Sequence, residues 1–258
     1  MALLPERAPL PRRSVTRRRL LCAVAALAAV PILAPGARAG VPPNLARRIL
    51  VIGDSQAQGL AGGFMRRYRR DRDIRVIDKS KIATGLIPRA TYDWPTAIKA
   101  IAANDHADVA VVMFGANDRP PVRRHGALDP KLVDAFTDSY GARVTEIVDT
   151  LRAAHMPVVW VGHPIVRDAD FSSDMSMLDG IYEKYATGAG ATYVSTWNLF
   201  AAPDGTYSAY GPGLDGVTTR LRADDGVHLT PAGYDVLARM LEPYLEVPPP
   251  ASAQARPN

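Results

Sequence analysis

Cysteine is almost absent from this chain, which has one, Cys22, among 258 residues. A single thiol excludes an internal disulfide framework and any zinc site built from several cysteines. The 20 glycines and 22 prolines follow no collagen-like period. A hydrophobic fraction of 47% is ordinary for a globular protein and excludes a chain that is disordered throughout. The length therefore predicts one large globular domain or two small ones.

Long apolar runs are lacking as well, apart from one near the start of the chain. Residues 1–39 combine an arginine-rich beginning with an apolar stretch over residues 20–34 and a small-x-small cleavage site at residues 37–39. This pattern predicts an export signal over residues 1–39 and a folded domain over residues 40–246. Residues 16–21 resemble a twin-arginine signal, and an ordinary secretory signal is the alternative.

The excess of positive charge belongs to the same segment. The full chain carries a formal net charge of +5, from 31 Lys and Arg against 26 Asp and Glu. Cleavage after Ala39 removes seven arginines and one glutamate, so 24 basic and 25 acidic residues remain. A nearly neutral domain lacks the charge of a nucleic-acid-binding protein, and no nucleic-acid partner is expected. Cys22 begins the apolar stretch instead of following it, so no lipoprotein or membrane anchor is expected after cleavage.

In the rest of the chain, apolar β-branched runs alternate with longer amphipathic stretches. The apolar runs predict five parallel strands, at Arg48–Gly53, Ile74–Asp78, Val109–Phe114, Val158–Gly162 and Thr192–Ser195. The amphipathic stretches predict five helices, at Gln56–Arg70, Pro95–Asn104, Pro130–Ala154, Asp174–Gly188 and Pro231–Leu245. Five such repeats predict an α/β fold, a three-layer flavodoxin-like domain around a five-stranded parallel sheet.

Two connections and the C-terminal end break this alternation. Residues 119–126 are rich in Pro and Arg and form either a basic rim for an anionic substrate or a solvated loop. Residues 203–224 form a long connection in which Tyr207 and Tyr210 either line a sugar-binding lip or pack over the domain edge. The Pro-rich residues 247–258 predict a disordered tail.

Polar residues collect where the predicted strands end. Ser55 follows the first strand, Asn117 follows the third, and Asp225 and His228 lie between the fifth strand and the last helix. Because the carboxyl ends of parallel strands share one edge of a sheet, these groups are expected to converge. There Ser55 can act as nucleophile, His228 as its base and Asp225 as the group that holds the imidazole. The backbone N–H groups of Ser55 and Gly85 and the side-chain amide of Asn117 are candidate donors to an oxyanion.

The same residues stand in four short blocks of sequence. These are Gly-Asp-Ser at 53–55, Gly85, Gly-Ala-Asn-Asp at 115–118 and Asp-Gly-Val-His at 225–228. In content and order they resemble the four blocks of the SGNH hydrolase, or GDSL-type esterase, superfamily. The run Asp-Gly-Val-His-Leu-Thr-Pro-Ala-Gly is similar to that of an exported bacterial subgroup whose function is unassigned.

The resemblance implies a flavodoxin-like fold and a defined set of roles. Ser55 is then the nucleophile, His228 the base and Asp225 the residue that orients the base. Ser55, Gly85 and Asn117 are the oxyanion donors that the resemblance implies. It implies no metal and no cofactor.

Further polar residues adjoin these blocks. Asp54, Asp118 and His163 are additional candidates for contact with substrate. His163 also follows a predicted strand and competes with His228 as the base, although it lacks an acid at close spacing. Gln56 stands where a leucine usually follows the serine in the resembling family, which weighs against a lipase-like substrate.

These observations predict an exported serine esterase that acts on a small-molecule or glycan ester through an acyl-enzyme. A short acyl group, such as acetyl on a cell-envelope glycan, is the expected substrate. Three alternatives stay open: an O-acyltransferase with a sugar acceptor, a non-catalytic envelope-binding module and a metal phosphoesterase. Ala57 occupies the position of the second glycine of a G-x-S-x-G elbow, which argues against an α/β-hydrolase fold.

Overall fold

The computed structural model describes residues 45–87, 92–121, 123–124 and 127–246. The predicted export signal and the predicted tail lie outside these residues. The strands are β1 (Arg48–Gly53), β2 (Arg75–Asp78), β3 (Val109–Met113), β4 (Arg123–Arg124), β5 (Ala127–Leu128), β6 (Val158–Val161), β7 (Thr192–Val194), β8 (Tyr210–Pro212) and β9 (Thr218–Arg220). The helices are α1 (Ser55–Tyr68), α2 (Trp94–Asn104), α3 (Pro130–Ala153), α4 (Ala169–Gly188), α5 (Trp197–Phe200) and α6 (Pro231–Leu241), followed by a 3-10 turn at Glu242–Leu245. Over the described part of the chain, no helix is long and apolar enough to span a bilayer.

Five strands form one parallel sheet in the order β2-β1-β3-β6-β7. In its register, Val51 of β1 lies opposite Asp78 of β2 on one side and opposite Val111 of β3 on the other. This strand order is that of flavodoxin-like domains, and it confirms the predicted fold class. The order reverses between β1 and β3, so the ligand-binding crevice is expected at the carboxyl ends of these two strands.

The sheet is covered on both faces, because successive residues of a strand point to opposite sides. Leu50 and Val112 belong to a core that they share with α2, α3 and α4, whereas Val51 and Val111 belong to a core that they share with α1 and α6. All four side chains are fully buried. The near-continuous apolar strands of the sequence therefore reflect a three-layer arrangement.

Polar residues cap the N-termini of the longer helices, and two of these helices, α1 and α4, begin earlier than predicted. Asp54 caps α1 by accepting a hydrogen bond from the N–H of Gln56, so that the helix begins at Ser55, one residue earlier than predicted. Asp168 caps α4 through the N–H of Phe171, and α4 therefore begins at Ala169, five residues before the predicted start. Thr230 caps α6 by accepting a hydrogen bond from the N–H of Gly233.

Three short elements were not predicted from the sequence. The connection at residues 203–224 contains the hairpin β8–β9, and residues 123–128 contain the two-residue pair β4–β5. The short helix α5 follows β7. Their few residues offer neither a helical nor a strand period, which is why the alternation of apolar residues did not reveal them.

Glycines on α1 let α6 pack closely against it. A Cβ atom at Gly59 would lie 2.0 Å from the Tyr234 ring, and one at Gly63 would lie 2.6 Å from the Tyr234 backbone oxygen. Because these two glycines lie one helical turn apart, they form a shallow groove on one face of α1. The groove seats the helix that directly follows His228.

We predict that Gly63→Ala lowers the free energy of unfolding by about 1–3 kcal/mol, because the new methyl group meets the backbone of α6. Gly62→Ala is the matched control on the same helix, since a Cβ there meets only the end of the Arg66 side chain at 3.2 Å. Its better helix propensity should leave stability unchanged or raise it by up to about 1 kcal/mol. Urea unfolding measures both, and equal stabilities would contradict the proposed groove.

Candidate active site

Ser55, His228 and Asp225 form a continuous hydrogen-bonded chain. The Oγ of Ser55 lies 2.7 Å from Nε2 of His228, and Nδ1 of His228 lies 2.7 Å from Oδ2 of Asp225. The other carboxylate oxygen of Asp225 accepts hydrogen bonds from the N–H groups of Val227 at 2.8 Å and His228 at 2.9 Å. The structure thus brings together the three side chains that the sequence predicted as nucleophile, base and orienting acid.

Ser55 is positioned by the tight turn between β1 and α1. Gly53 precedes it with a φ of +146°, and a Cβ atom there would lie 1.8 Å from the backbone oxygen of Met113. Only glycine lets β1 pass that close to β3. Ser55 is the first residue of α1, so its N–H belongs to the first helical turn, where backbone N–H groups lack carbonyl partners within the helix.

Asp225 and His228 are positioned by a compact turn. Gly226 has a φ of +74°, its N–H donates to the Ala223 carbonyl at 3.1 Å, and the N–H of Ala223 donates to the His228 carbonyl at 2.9 Å. Because the turn closes within these residues, both side chains emerge on the same side and form a pair at a spacing of three.

Asp225 is held as a carboxylate. Partial burial acts to raise its pKa, but the N–H of Val227 and the side chain and N–H of His228 outweigh burial and lower the pKa of Asp225 to about 2. A carboxylate that stays ionised near neutral pH can orient the imidazole and stabilise the charge it gains on accepting a proton.

The side-chain amide of Asn117 contacts the residues that directly precede the two other predicted oxyanion donors. Its Nδ2 donates to the Thr84 carbonyl at 2.8 Å and lies 3.4 Å from Oδ2 of Asp54. Thr84 directly precedes Gly85, and Asp54 directly precedes Ser55. Asn117 therefore links the loop after β2 to the turn after β1. The second of these contacts is long, so the amide retains donor capacity toward the site.

Asp118 explains the glycine at position 85. A Cβ atom at Gly85 would lie 2.0 Å from Oδ1 of Asp118. The Asp118 carboxylate accepts hydrogen bonds from the N–H groups of Leu86 at 2.7 Å and Ile87 at 3.0 Å, and from the Tyr140 hydroxyl at 2.7 Å. Asp118 thus holds the loop that carries the Gly85 N–H.

Asp54 and Asp118 are both fully buried. Burial, opposed by the N–H of Gln56 and reinforced by the nearby Asp118 carboxylate, raises the pKa of Asp54 to about 7. Burial also raises the pKa of Asp118, against the lowering effect of its hydrogen bonds. The contacts of both carboxylates are with the protein, and the substrate-binding role predicted for them stays a prediction.

His163 lies behind the site and does not pair with Ser55. The residue is fully buried, and neither ring nitrogen has a hydrogen-bond partner within the described residues. Its backbone N–H donates to Asp179 at 2.7 Å, and its ring lies beside Gly115. The geometry therefore favours His228 over His163 as the partner of the serine, while the substrate contact predicted for His163 stays a prediction.

The other candidate side chains have protein partners or lie outward. Arg119 pairs with Asp174 at 2.8 Å, and its guanidinium lies 4.9 Å from the centre of the Phe171 ring. The Tyr207 ring lies near the guanidinium groups of Arg167 and Arg222, whereas Tyr210 is exposed on β8. Among the described residues, no cluster of three or more His, Cys, Asp and Glu side chains could hold a metal ion.

Comparison with known protein families identifies the family of the chain. Residues 48–244 match the model of a family described as "Protein of unknown function (DUF459)". The chain belongs to the DUF459 family. A comparison of this DUF459 protein with curated sequences gives no match.

The fold of this DUF459 protein is that of the SGNH hydrolases. A candidate SGNH hydrolase from Slackia heliotrinireducens is 20% identical, with a TM-score of 0.52 over 77% of this chain and 98% of that chain. A GDSL-like lipase from Bacteroides thetaiotaomicron is 14% identical, with a TM-score of 0.54 over 77% and 87%. A catalytic mutant of an acetylxylan esterase from Geobacillus stearothermophilus is 18% identical, with a TM-score of 0.50 over 76% and 92%. These likenesses confirm the predicted resemblance at the level of the fold.

In this DUF459 protein, the residues that hold the turn of Asp225 and His228 were not predicted from the sequence. Arg222 is fully buried, and Arg167 donates through its backbone N–H to the Gly226 carbonyl and through its side chain to the Asp224 carbonyl. Both guanidinium groups lie near the Tyr207 ring, at 5.1 Å and 5.6 Å. Arginine in a polar loop is usually exposed to solvent, so no sequence pattern indicates that these arginines cluster around Tyr207.

The burial of His163 makes a prediction about stability and pH. Burial first, and then the positive charges of Arg222 and His228, lower the pKa of His163 from 6.5 to about 3. Below pH 6.5 the unfolded chain binds a proton at this residue that the folded chain does not. The stability that the neutral imidazole of His163 contributes to the folded state is therefore complete above pH 6.5 and is lost as the pH falls toward 3.

We predict that the difference in unfolding free energy between the wild type and His163→Gln decreases as the pH falls below 6.5, by at most about 1.4 kcal/mol per pH unit. Urea unfolding between pH 4 and 8 measures this difference. The exposed His106 offers the matched control, His106→Gln. A difference for His163→Gln that stays constant over this range would contradict the burial of a neutral imidazole.

Proposed function

We propose that this protein is an exported serine esterase that hydrolyses carboxylic esters through an acyl-enzyme. The proposal depends on one observation, the chain of two 2.7 Å hydrogen bonds from Ser55 through His228 to Asp225. A hydroxyl, an imidazole and a carboxylate in this order can move a proton away from the attacking oxygen. The Asn117 amide, tethered beside the turn of Ser55 and the loop of Gly85, supports the proposal because acyl transfer needs donors for the developing oxyanion.

The chemistry would proceed in two halves. In the first, the Ser55 oxygen attacks the ester carbonyl while His228 takes its proton, and the N–H groups of Ser55 and Gly85 with the Asn117 amide bind the oxyanion. The tetrahedral intermediate then collapses, and His228 gives the proton to the departing alcohol. In the second half, water attacks the acyl-enzyme, with His228 again as base, and the acid and the free serine are released.

The substrate would be a small or glycan-bound ester with a short acyl group. The side chains of His228 and Asp225 are 36% and 49% exposed, which suits an ester group presented at the surface of a larger molecule. The fold likeness to an acetylxylan esterase supports the ester class at most, since that protein is only 18% identical. The predicted signal at residues 1–39 supports a site of action outside the cytoplasm. A signal of the twin-arginine type would export the protein after it has folded.

We predict that Ser55→Ala reduces kcat for 4-nitrophenyl acetate by about three orders of magnitude or more, because the attacking oxygen is removed while the fold is kept. Purified residues 40–258, with and without the substitution, are assayed with this ester and with esters of longer acyl chains. Circular dichroism confirms that the variant is folded. Hydrolysis that survives the substitution would refute the serine mechanism.

The same assay separates the other candidate functions. A fluorophosphonate should label Ser55 and abolish turnover, and a chelator should leave turnover unchanged, whereas a metal phosphoesterase would show the reverse. A non-catalytic binding module would hydrolyse no ester in either form. An added glycan acceptor identifies an acyltransferase, because acylated glycan then accumulates in place of free acid.

A further inference from the structure

The backbone oxygen of Val227, the residue directly before His228, accepts hydrogen bonds from two buried side chains. Nε2 of Gln56 and a terminal nitrogen of Arg222 each lie 2.9 Å from it. Gln56 and Arg222 are both fully buried. A carbonyl oxygen has two lone pairs, so both are occupied, and the peptide that leads into His228 is fixed from two directions.

Gln56 reaches this carbonyl from the helix that carries the nucleophile. It directly follows Ser55 in the first turn of α1, and its Oε1 accepts a hydrogen bond from the Tyr234 hydroxyl at 2.8 Å. Because Tyr234 donates to one end of the amide, the other end must present its N–H groups, which determines the orientation of the side chain. Gln56 therefore connects the turn of Ser55, the turn of His228 and helix α6.

Arg222 reaches the same carbonyl from the segment that leads to Asp225. Its guanidinium donates to the carbonyls of Ile165, Gly226 and Val227. Burial of this cation has a high desolvation cost. Hydrogen bonds to backbone carbonyls offset that cost only if the carbonyls stay in place. Arg222 thus restrains the turn, but it belongs to the same segment and cannot set the distance from His228 to Ser55.

We propose that Gln56 is a positioning residue for the proposed esterase reaction, which sets the distance and direction between Ser55 Oγ and His228 Nε2 through the Val227 carbonyl. The inference rests on the proposed function. In the described structure, two hydrogen bonds join the first turn of α1 to residues 225–228. One links Ser55 to His228, and the other links Gln56 to Val227. The first must open and close during the proposed reaction, whereas the second can persist.

An apolar residue at position 56 cannot perform this task. The leucine that usually follows the serine in the resembling superfamily has no N–H to donate, so the Val227 carbonyl would lose one partner and the Tyr234 hydroxyl its acceptor. Gln56 is also buried beneath the serine and not exposed to substrate. The glutamine therefore bears on the alignment of the base, and its bearing on substrate type stays a prediction. Alignment affects kcat, because proton transfer requires the two atoms within hydrogen-bond reach.

The test replaces Gln56 with a side chain of similar length that lacks the amide. Gln56→Met should lower kcat for 4-nitrophenyl acetate by about 10- to 100-fold and change KM by less than about threefold, since no substrate contact is removed. The rate of serine labelling by a fluorophosphonate should fall in parallel with kcat. Tyr234→Phe, which frees the amide but keeps the ring, should give a smaller loss, about 3- to 10-fold.

The matched control is Gln58→Met, the same substitution two residues along α1 at an exposed position. It should leave kcat, KM and labelling at wild-type values. Melting curves of all variants separate positioning from unfolding, because a folded Gln56→Met variant with reduced kcat supports the proposal. A folded variant with wild-type kcat, or with only KM raised, would overturn it.

The outcome is distinguishable from failure of the proposed function. If the wild type hydrolyses the ester and Ser55→Ala does not, the Gln56→Met result bears on positioning alone. If the wild type shows no turnover, crystal structures of the wild type and Gln56→Met decide the positioning claim by the Ser55–His228 distance. An unchanged distance of 2.7 Å in Gln56→Met would refute it.

Discussion

The hydrogen bond between Ser55 and His228 joins residues that are 173 positions apart in the chain. A hydrogen bond of this kind weakens steeply when its atoms separate by a few tenths of an ångström, so the rest of the fold has to hold both ends in place. β1 and the cap of α1 hold the serine, and the turn before α6 holds the histidine. The packing of α6 in the glycine groove of α1 makes these two supports one unit.

Several ionisable side chains that follow the strands are buried. Burial, more than any neighbour, raises the pKa of Asp54 to about 7 and that of Asp179 to about 8, and it lowers the pKa of His163 to about 3. Buried carboxylates of this kind destabilise the folded state as the pH rises through the range between their ordinary and raised pKa values. The carboxylates of Asp54, Asp118 and Asp179 accept hydrogen bonds from the backbone N–H groups of Gln56, Leu86 and His163, respectively, so groups that weaken the fold also hold its loops.

Much of this arrangement could be predicted from the sequence, because its signals are local. Val109–Met113 has the apolar run of a doubly buried strand, and Ser55, Asn117, Asp225 and His228 follow strand ends. The residues that could not be predicted act across long separations. Gln56 contacts Val227, and Arg222 is buried by the Tyr207 ring, so their roles depend on packing that no periodicity encodes. The early start of α4 was missed because residues 169–173 have no apolar period and only the Asp168 cap marks the boundary.

The division of the site between the two ends of the domain has a consequence for synthesis. Ser55 lies in the first β–α unit, but His228, its proposed proton acceptor, and the helix at residues 231–241 that packs against α1 are translated near the end of the domain. A nascent chain that has not yet emerged to residue 228 holds the hydroxyl without the imidazole. The proposed relay can thus form only after residue 228 has left the ribosome, and a chain that ends before α6 would lack the helix that packs against α1.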